Sequence, residues 1–146
     1  MNLIVKTFAE LTTEELYKIL KIRSEVFVLE QQSACLDPDG KDLFAVHAYF
    51  EENGEILAYL RVLDRGIHFD EVSLGRILTV HRGKGLGAAI VKEGIRVAEE
   101  RFGAQKIKIC AQTHVRGFYE KAGFRQISDI LFDHGIEHIY MIREKQ

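Results

Sequence analysis

The chain has 146 residues, of which 47% are hydrophobic and 29% charged, a balance that excludes wholesale disorder and fits one ordinary domain. Lys and Arg number 20 against 22 Asp and Glu, a formal net charge of −2, so an extended basic footprint for nucleic acid is not expected. The apolar runs are short, the first residues lack the shape of a signal peptide, and the two cysteines (Cys35 and Cys110) are too few for a disulfide scaffold, so free thiols, a cytoplasmic location and no membrane partner are expected.

Residues 2–8 alternate between apolar and polar and read as a strand. Thr12 followed three residues later by Glu15 is a capping box, and it predicts a helix from about Thr13 to about Glu30 striped by Leu16, Ile19, Leu20, Val26 and Phe27. Arg23 falls inside that apolar stripe, where a charge needs a partner or a pocket. Residues 31–42 read as loop, and Asp37-Pro38-Asp39-Gly40 within them as a solvated turn without the spacing of a calcium loop. Two apolar runs, 43–52 and 55–64, flank Asn53-Gly54, a strong hairpin signal, and 71–80 is a third long strand.

A helix is expected from about Leu86 to Phe102, closed by Gly103. Residues 106–111 read as a buried strand, 113–123 as a short helix, and 124–132 and 136–142 as two strands around Asp133-His134-Gly135. The order β-α-β-β-β-α-β-α-β-β describes one α/β domain over 1–146, a mixed sheet flanked by helices.

Arg82-Gly83-Lys84-Gly85-Leu86-Gly87 lies between a strand and the long helix. Three glycines let a ligand approach the backbone, a helix start offers free N–H groups, and two cations stand beside them, so the segment reads as a pyrophosphate cradle. It fits neither the Walker nor the dinucleotide glycine pattern but does fit R-x-x-G-x-G. His134-Gly135-Ile136-Glu137-His138 has the spacing of an H-x-x-E-H zinc motif, which requires a helix; the segment reads as a hairpin, so no metal is expected.

The glycine loop, together with Gln112-Thr-His-Val-Arg-Gly-Phe-Tyr119-Glu-Lys-Ala-Gly-Phe124, resembles the GNAT acetyltransferases, and LYKILKIRSEVFVLEQ, DPDGKD, AYLRVL, GRI and GIEHIYM resemble its ElaA-type branch. The resemblance covers nearly the whole chain. It implies the GNAT fold, with a mostly antiparallel central sheet, and acetyl-CoA as co-substrate. The pyrophosphate would lie on Arg82, Gly83, Lys84, Gly85, Leu86 and Gly87, the pantetheine arm along Ile77, Leu78, Thr79 and Val80, and Gln112 would stand at the family's Asn position. A backbone N–H near Leu78 would face the thioester oxygen.

By the same resemblance Tyr119 is the general acid for the departing sulfur, on the expectation that a phenol with an ordinary pKa near 10 can protonate a thiolate. His138 is the first candidate for the base and His47 the second. Arg23, Arg61 and Arg76 sit on otherwise apolar elements; each could form an internal salt bridge, and if two converge at the acetyl group the acceptor is anionic. The expected partner is a small amine, with a homodimer allowed for; a non-catalytic acetyl-CoA-binding module and a protein acetyltransferase remain the alternatives.

Overall fold

The computed structural model describes residues 1–30, 36–133 and 135–146, with side chains at all of these except 29 and 30. Cys35 and His134 therefore lie outside the described residues, and with them part of the 133–135 turn and the H-x-x-E-H spacing.

Strand β1 (Asn2–Thr7) leads into α1 (Thr13–Arg23), whose wider π-helical continuation covers Ser24–Glu30. The Thr12–Glu15 capping box forms as expected: Thr12 Oγ1 accepts from the Glu15 N–H and the Glu15 carboxylate accepts from the Thr12 N–H. That carboxylate also takes hydrogen bonds from Lys6 and Tyr49, pinning the start of α1 to the sheet. Strands β2 (Val46–Glu52), β3 (Glu55–Leu63) and β4 (Val72–Thr79) follow as an antiparallel meander. Asn53 and Gly54 both take positive φ, 52° and 79°, which the two-residue hairpin turn demands. Residues expected to open β2 instead form a 3₁₀ turn over Lys41–Phe44, because Asp42 is drawn inward by charged partners described below.

Next come α2 (Leu86–Phe102), β5 (Lys106–Gln112) and α3 (Arg116–Lys121). The last expected strand pair is more broken than its sequence pattern: β6 (Arg125–Gln126) and β7 (Leu131–Asp133) each pair with one part of β8 (Ile136–Glu144). The interruption sits at Ser128, whose hydroxyl accepts the Tyr140 N–H in place of a ladder carbonyl.

The sheet order is β1-β2-β3-β4-β5-β8-β6, with β7 also on β8, and only the β4–β5 pair is parallel. Strand alternation sorts the two faces. Ala48, Phe50, Ala58, Leu60 and Val62 pack with Ile90, Val91, Val97 and Ala98 of α2, while Tyr49, Tyr59 and Leu78 pack with Ile19 of α1. Helix α2 comes so close to β3 that a Cβ built at Gly94 would stand 2.6 Å from a Leu60 methyl carbon.

Two irregularities of β4 shape the function. First, β4 and β5 pair only at Val72–Ile107 and Ser73–Lys108, although β4 remains paired to β3 and β5 to β8 well beyond that point. The two halves of the sheet splay apart there, and one edge of each strand is left without a ladder partner. Second, between the pairs Arg61–Gly75 and Tyr59–Leu78, Arg76 and Ile77 oppose Leu60 alone. This is a β-bulge in which Arg76 takes φ 51°, a left-handed backbone that costs a non-glycine residue about 1 kcal/mol or more.

Candidate active site

The splay opens a cleft of about 690 Å³, within the range of small-molecule sites. Residues 74–79 of β4 form one wall and 109–112 of β5 the other. No ladder forms between residues 74–79 and 109–111, and backbone N–H and C=O groups require partners, so the cleft suits an extended chain carrying its own amides.

At one end lies the glycine loop. Gly83 and Gly85 have φ of 80° and 72°, values that side-chain-bearing residues rarely adopt, and Gly85 caps α2 in this left-handed form. The turn thus reverses the chain sharply enough to start α2 at the mouth of the cleft. Gly87 serves packing, since a Cβ there would meet the Phe118 ring at 3.3 Å. Arg82, Gly83, Gly85, Leu86 and Gly87 all line the cleft, as do Ile77, Leu78 and Thr79. Val80 and Lys84 stand outside that lining: Val80 continues the pairing to β3 through the Leu57 carbonyl, and Lys84 faces a second hollow beside Glu52 and Glu55. The N-terminal end of α2, with Arg82 beside it, is suited to an anion.

Deeper in the cleft, Tyr119 projects from α3 and is held edge-on between Phe118 and Phe124, with ring centroids 5.0 and 6.0 Å away. Burial pushes its phenol up to about 12. The phenol therefore stays protonated at neutral pH, with its O–H available to donate to a sulfur placed in the cleft.

His138 on β8 also lines the cleft, paired across the ladder with Gln112, another lining residue. Its Nδ1 lies 2.8 Å from the Ile136 carbonyl oxygen. A carbonyl can only accept, so Nδ1 carries a proton, and in the neutral ring Nε2 is the nitrogen with the free lone pair.

The remaining acceptor candidates are corrected by the structure. Arg23 is fully buried; its Nε donates to Asp37 Oδ2 at 3.0 Å and its Nη1 to Asp42 Oδ1 at 2.7 Å. Arg61 is 3% exposed and donates to Asp39 and to the same Asp42 oxygen at 2.7–2.9 Å. His47 is equally buried, with Nε2–H donating to the Asp42 carbonyl and Nδ1 accepting from the Tyr59 hydroxyl. None of the three lines the cleft. The loop expected to be a solvated turn is in fact their counter-charge: Asp37 and Asp42 are buried. Burial alone would raise the Asp39 and Asp42 carboxyls, but the neighbouring guanidiniums reverse this and hold both below the ordinary range. His47 is pushed down by burial and stays neutral.

Of the three arginines only Arg76 reaches the cleft, and it is paired with Asp37 as well. Val26 and Phe27 from the π-helical segment, and Asp133 and Ile136, also line the cleft. Cys110 is an exposed free thiol on the β5 wall; desolvation of its sulfur pushes it up to about 11, which keeps the thiolate fraction low at neutral pH. Among the described residues no three metal-ligating side chains converge, and no helix is long and apolar enough to cross a membrane.

A parallel strand pair splayed over a glycine-rich helix start, with a tyrosine from the next helix facing the opening, is the architecture of the GNAT acyltransferases. The chain belongs to that family: the family model for the acetyltransferase (GNAT) domain matches residues 8–145. It is similar to a UPF0039 protein of Synechocystis, 37% identical over 92% of this chain and 90% of that one. Protein ElaA of Escherichia coli is 31% identical over 93% of this chain and 92% of its own, and its crystal structure superimposes with a TM-score of 0.91. The crystal structure of an acyl-CoA N-acyltransferase from Pseudomonas aeruginosa matches with a TM-score of 0.92 at 33% identity, covering 98% of this chain and 99% of that one.

Proposed function

We propose that this protein transfers an acetyl group from acetyl-CoA to the primary amine of a small acceptor, directly and without a covalent enzyme intermediate, in the cytoplasm. The observation that carries the reading is the cleft itself: two unpaired strand edges running from a glycine-rich helix start to Tyr119 and His138. Backbone N–H groups of residues 82–87 would take the pyrophosphate, Arg82 adding charge, while the pantetheine amides would complete the ladder left open along Ile77, Leu78 and Thr79. Gln112 and Tyr119 form the opposite wall.

The chemistry then divides among this chain's residues. The neutral amine nitrogen attacks the thioester carbonyl carbon, and a backbone N–H near Leu78 meets the charge developing on oxygen. The C–S bond breaks as the amide forms. His138 Nε2 accepts the amine proton, and the Tyr119 O–H hydrogen-bonds to the leaving sulfur, which is reprotonated from solvent. Direct attack is favoured because the raised pKa of Cys110 leaves little of the thiolate that a covalent route would need.

Because Asp37 already meets the charge of Arg76, and Arg23 and Arg61 are spent within the fold, the acceptor is defined by its amine rather than by an anionic group. The reading is tested by incubating the protein with acetyl-CoA and a panel of primary amines and following free thiol. Amine-dependent thiol release that falls in His138→Gln supports it. Acetyl-CoA binding without thiol release from any amine would leave a non-catalytic binding module.

A further inference from the structure

The left-handed residue of the β4 bulge is an arginine, at a place where glycine would carry no strain. Such strain persists only where surrounding groups enforce it, and here they are visible. Arg76 Nε donates to Asp37 Oδ1 at 2.9 Å and Nη2 to the Asp37 carbonyl oxygen at 2.9 Å, so the guanidinium grips both side chain and backbone of one residue. Asp37, 2% exposed, is anchored on its other side by Arg23, from Nε to Oδ2 at 3.0 Å and from Nη2 to the carbonyl oxygen at 3.2 Å. Arg23 is fixed in turn by Asp42. The kink in β4 is thereby tied through one buried aspartate to helix α1 on the far side of the loop.

We propose that Arg76 is a positioning residue: its grip on Asp37 holds the bulge in its left-handed form, and so aims the backbone N–H that follows, at Ile77, away from β3 and toward the thioester oxygen. This rests on the acetyl-CoA reading above and adds to it the device that sets the donor's direction. Arg76 would act through backbone geometry, without its charge touching the acyl group.

Glycine and lysine at position 76 separate backbone geometry from charge. Glycine accepts φ near 51° with no clamp, lysine keeps the cation but lacks the planar fork that grips carboxylate and carbonyl at fixed spacing, and alanine has neither property. The readout is the infrared band of isotope-labelled acetyl-CoA at its thioester carbonyl, which moves to lower wavenumber when an N–H polarises the oxygen, measured beside acetyl-CoA affinity by calorimetry. The expected result is a lowered band in the parent chain, loss of most of that shift in Arg76→Ala, recovery of at least half of it in Arg76→Gly, and no recovery in Arg76→Lys. Calorimetry sets the acetyl-CoA concentration at which each variant is saturated, so that every band is read from the bound ligand.

Recovery in Arg76→Lys but not in Arg76→Gly would overturn the proposal in favour of a direct electrostatic role, and an unshifted band in the parent chain, or an equal shift in every variant, would also overturn it. If Arg76→Ala does not fold, the glycine–lysine comparison decides alone. A parent chain that does not bind acetyl-CoA at all would instead refute the acetyl-CoA reading on which this rests.

Discussion

Replacing Arg23 with methionine, similar in length but without charge, asks whether this arginine serves the acceptor or the fold. The side chain is fully buried and donates to Asp37 Oδ2 (3.0 Å), Asp42 Oδ1 (2.7 Å) and Oδ2 (3.2 Å), the Asp37 carbonyl (3.2 Å) and the Tyr59 hydroxyl (3.4 Å). With Arg61 and Arg76 it balances Asp37, Asp39 and Asp42, three charges of each sign, so the variant leaves one carboxylate charge uncompensated in a dry site. Breaking a buried pair from one side costs about 3–5 kcal/mol. That is a large share of an ordinary domain's stability, on the order of 10–20 °C in Tm at this size.

The pH dependence adds a second signature. Asp39 and Asp42 have folded-state pKa values below their unfolded ones near 3.8, so their contribution is present above that value and is lost as pH falls below it toward the folded values. The variant has less of that contribution to lose, so its deficit narrows on acidification. Urea denaturation followed by circular dichroism, at neutral pH and near pH 2.5, measures both effects. A deficit below about 1 kcal/mol at neutral pH, or one that widens in acid, would refute the network account.

Other outcomes follow from single contacts. Gly94→Ala gains about 1 kcal/mol of helix propensity, but its Cβ would stand 2.6 Å from a Leu60 methyl carbon, so a net loss of roughly 1–2 kcal/mol is expected by thermal unfolding, relieved when Leu60→Val is added. Burial holds the His47 pKa below its ordinary value, so the imidazole contributes stability above the unfolded pKa near 6.5 and loses it as pH falls below that; His47→Gln should flatten the stability profile between about pH 7 and 5. Tyr119→Phe removes only the hydroxyl from a ring held by Phe118 and Phe124, so amine-dependent thiol release should fall on the order of 10- to 100-fold while acetyl-CoA affinity and Tm change little.

What the sequence made legible was local. The Thr12–Glu15 box, the Asn53-Gly54 turn, and α2 with its Gly103 terminator each sit within a few residues of their signal, and α2 spans Leu86–Phe102 as its pattern predicts. The glycine loop was legible for the same reason, because its chemistry is contiguous. The arginine roles were not. Arg23 finds Asp37 from 14 residues away and Asp42 from 19, and Arg76 finds Asp37 from 39, so the polar loop that read as solvated became the core's counter-charge only once the chain had folded. The warning was that Arg23, Arg61 and Arg76 lie on otherwise apolar elements, each able to form an internal salt bridge whose partner the sequence does not name. The bulge left no sequence signal, since its left-handed residue is not glycine, and the β4–β5 splay depends on where a parallel pairing stops.

The central claim is that the glycine loop and the splayed strands bind acetyl-CoA, and thermal unfolding with and without that ligand tests it most directly. At a hundredfold excess over its dissociation constant a ligand adds about 2.7 kcal/mol, on the order of 5–10 °C here. Gly85 sits at φ 72° in the helix cap, so Gly85→Glu strains the turn and places a negative charge where the pyrophosphate would lie. The account predicts a clear rise in Tm for the parent chain and its loss in Gly85→Glu. No rise in the parent chain at millimolar acetyl-CoA, or an undiminished rise in Gly85→Glu, would contradict it.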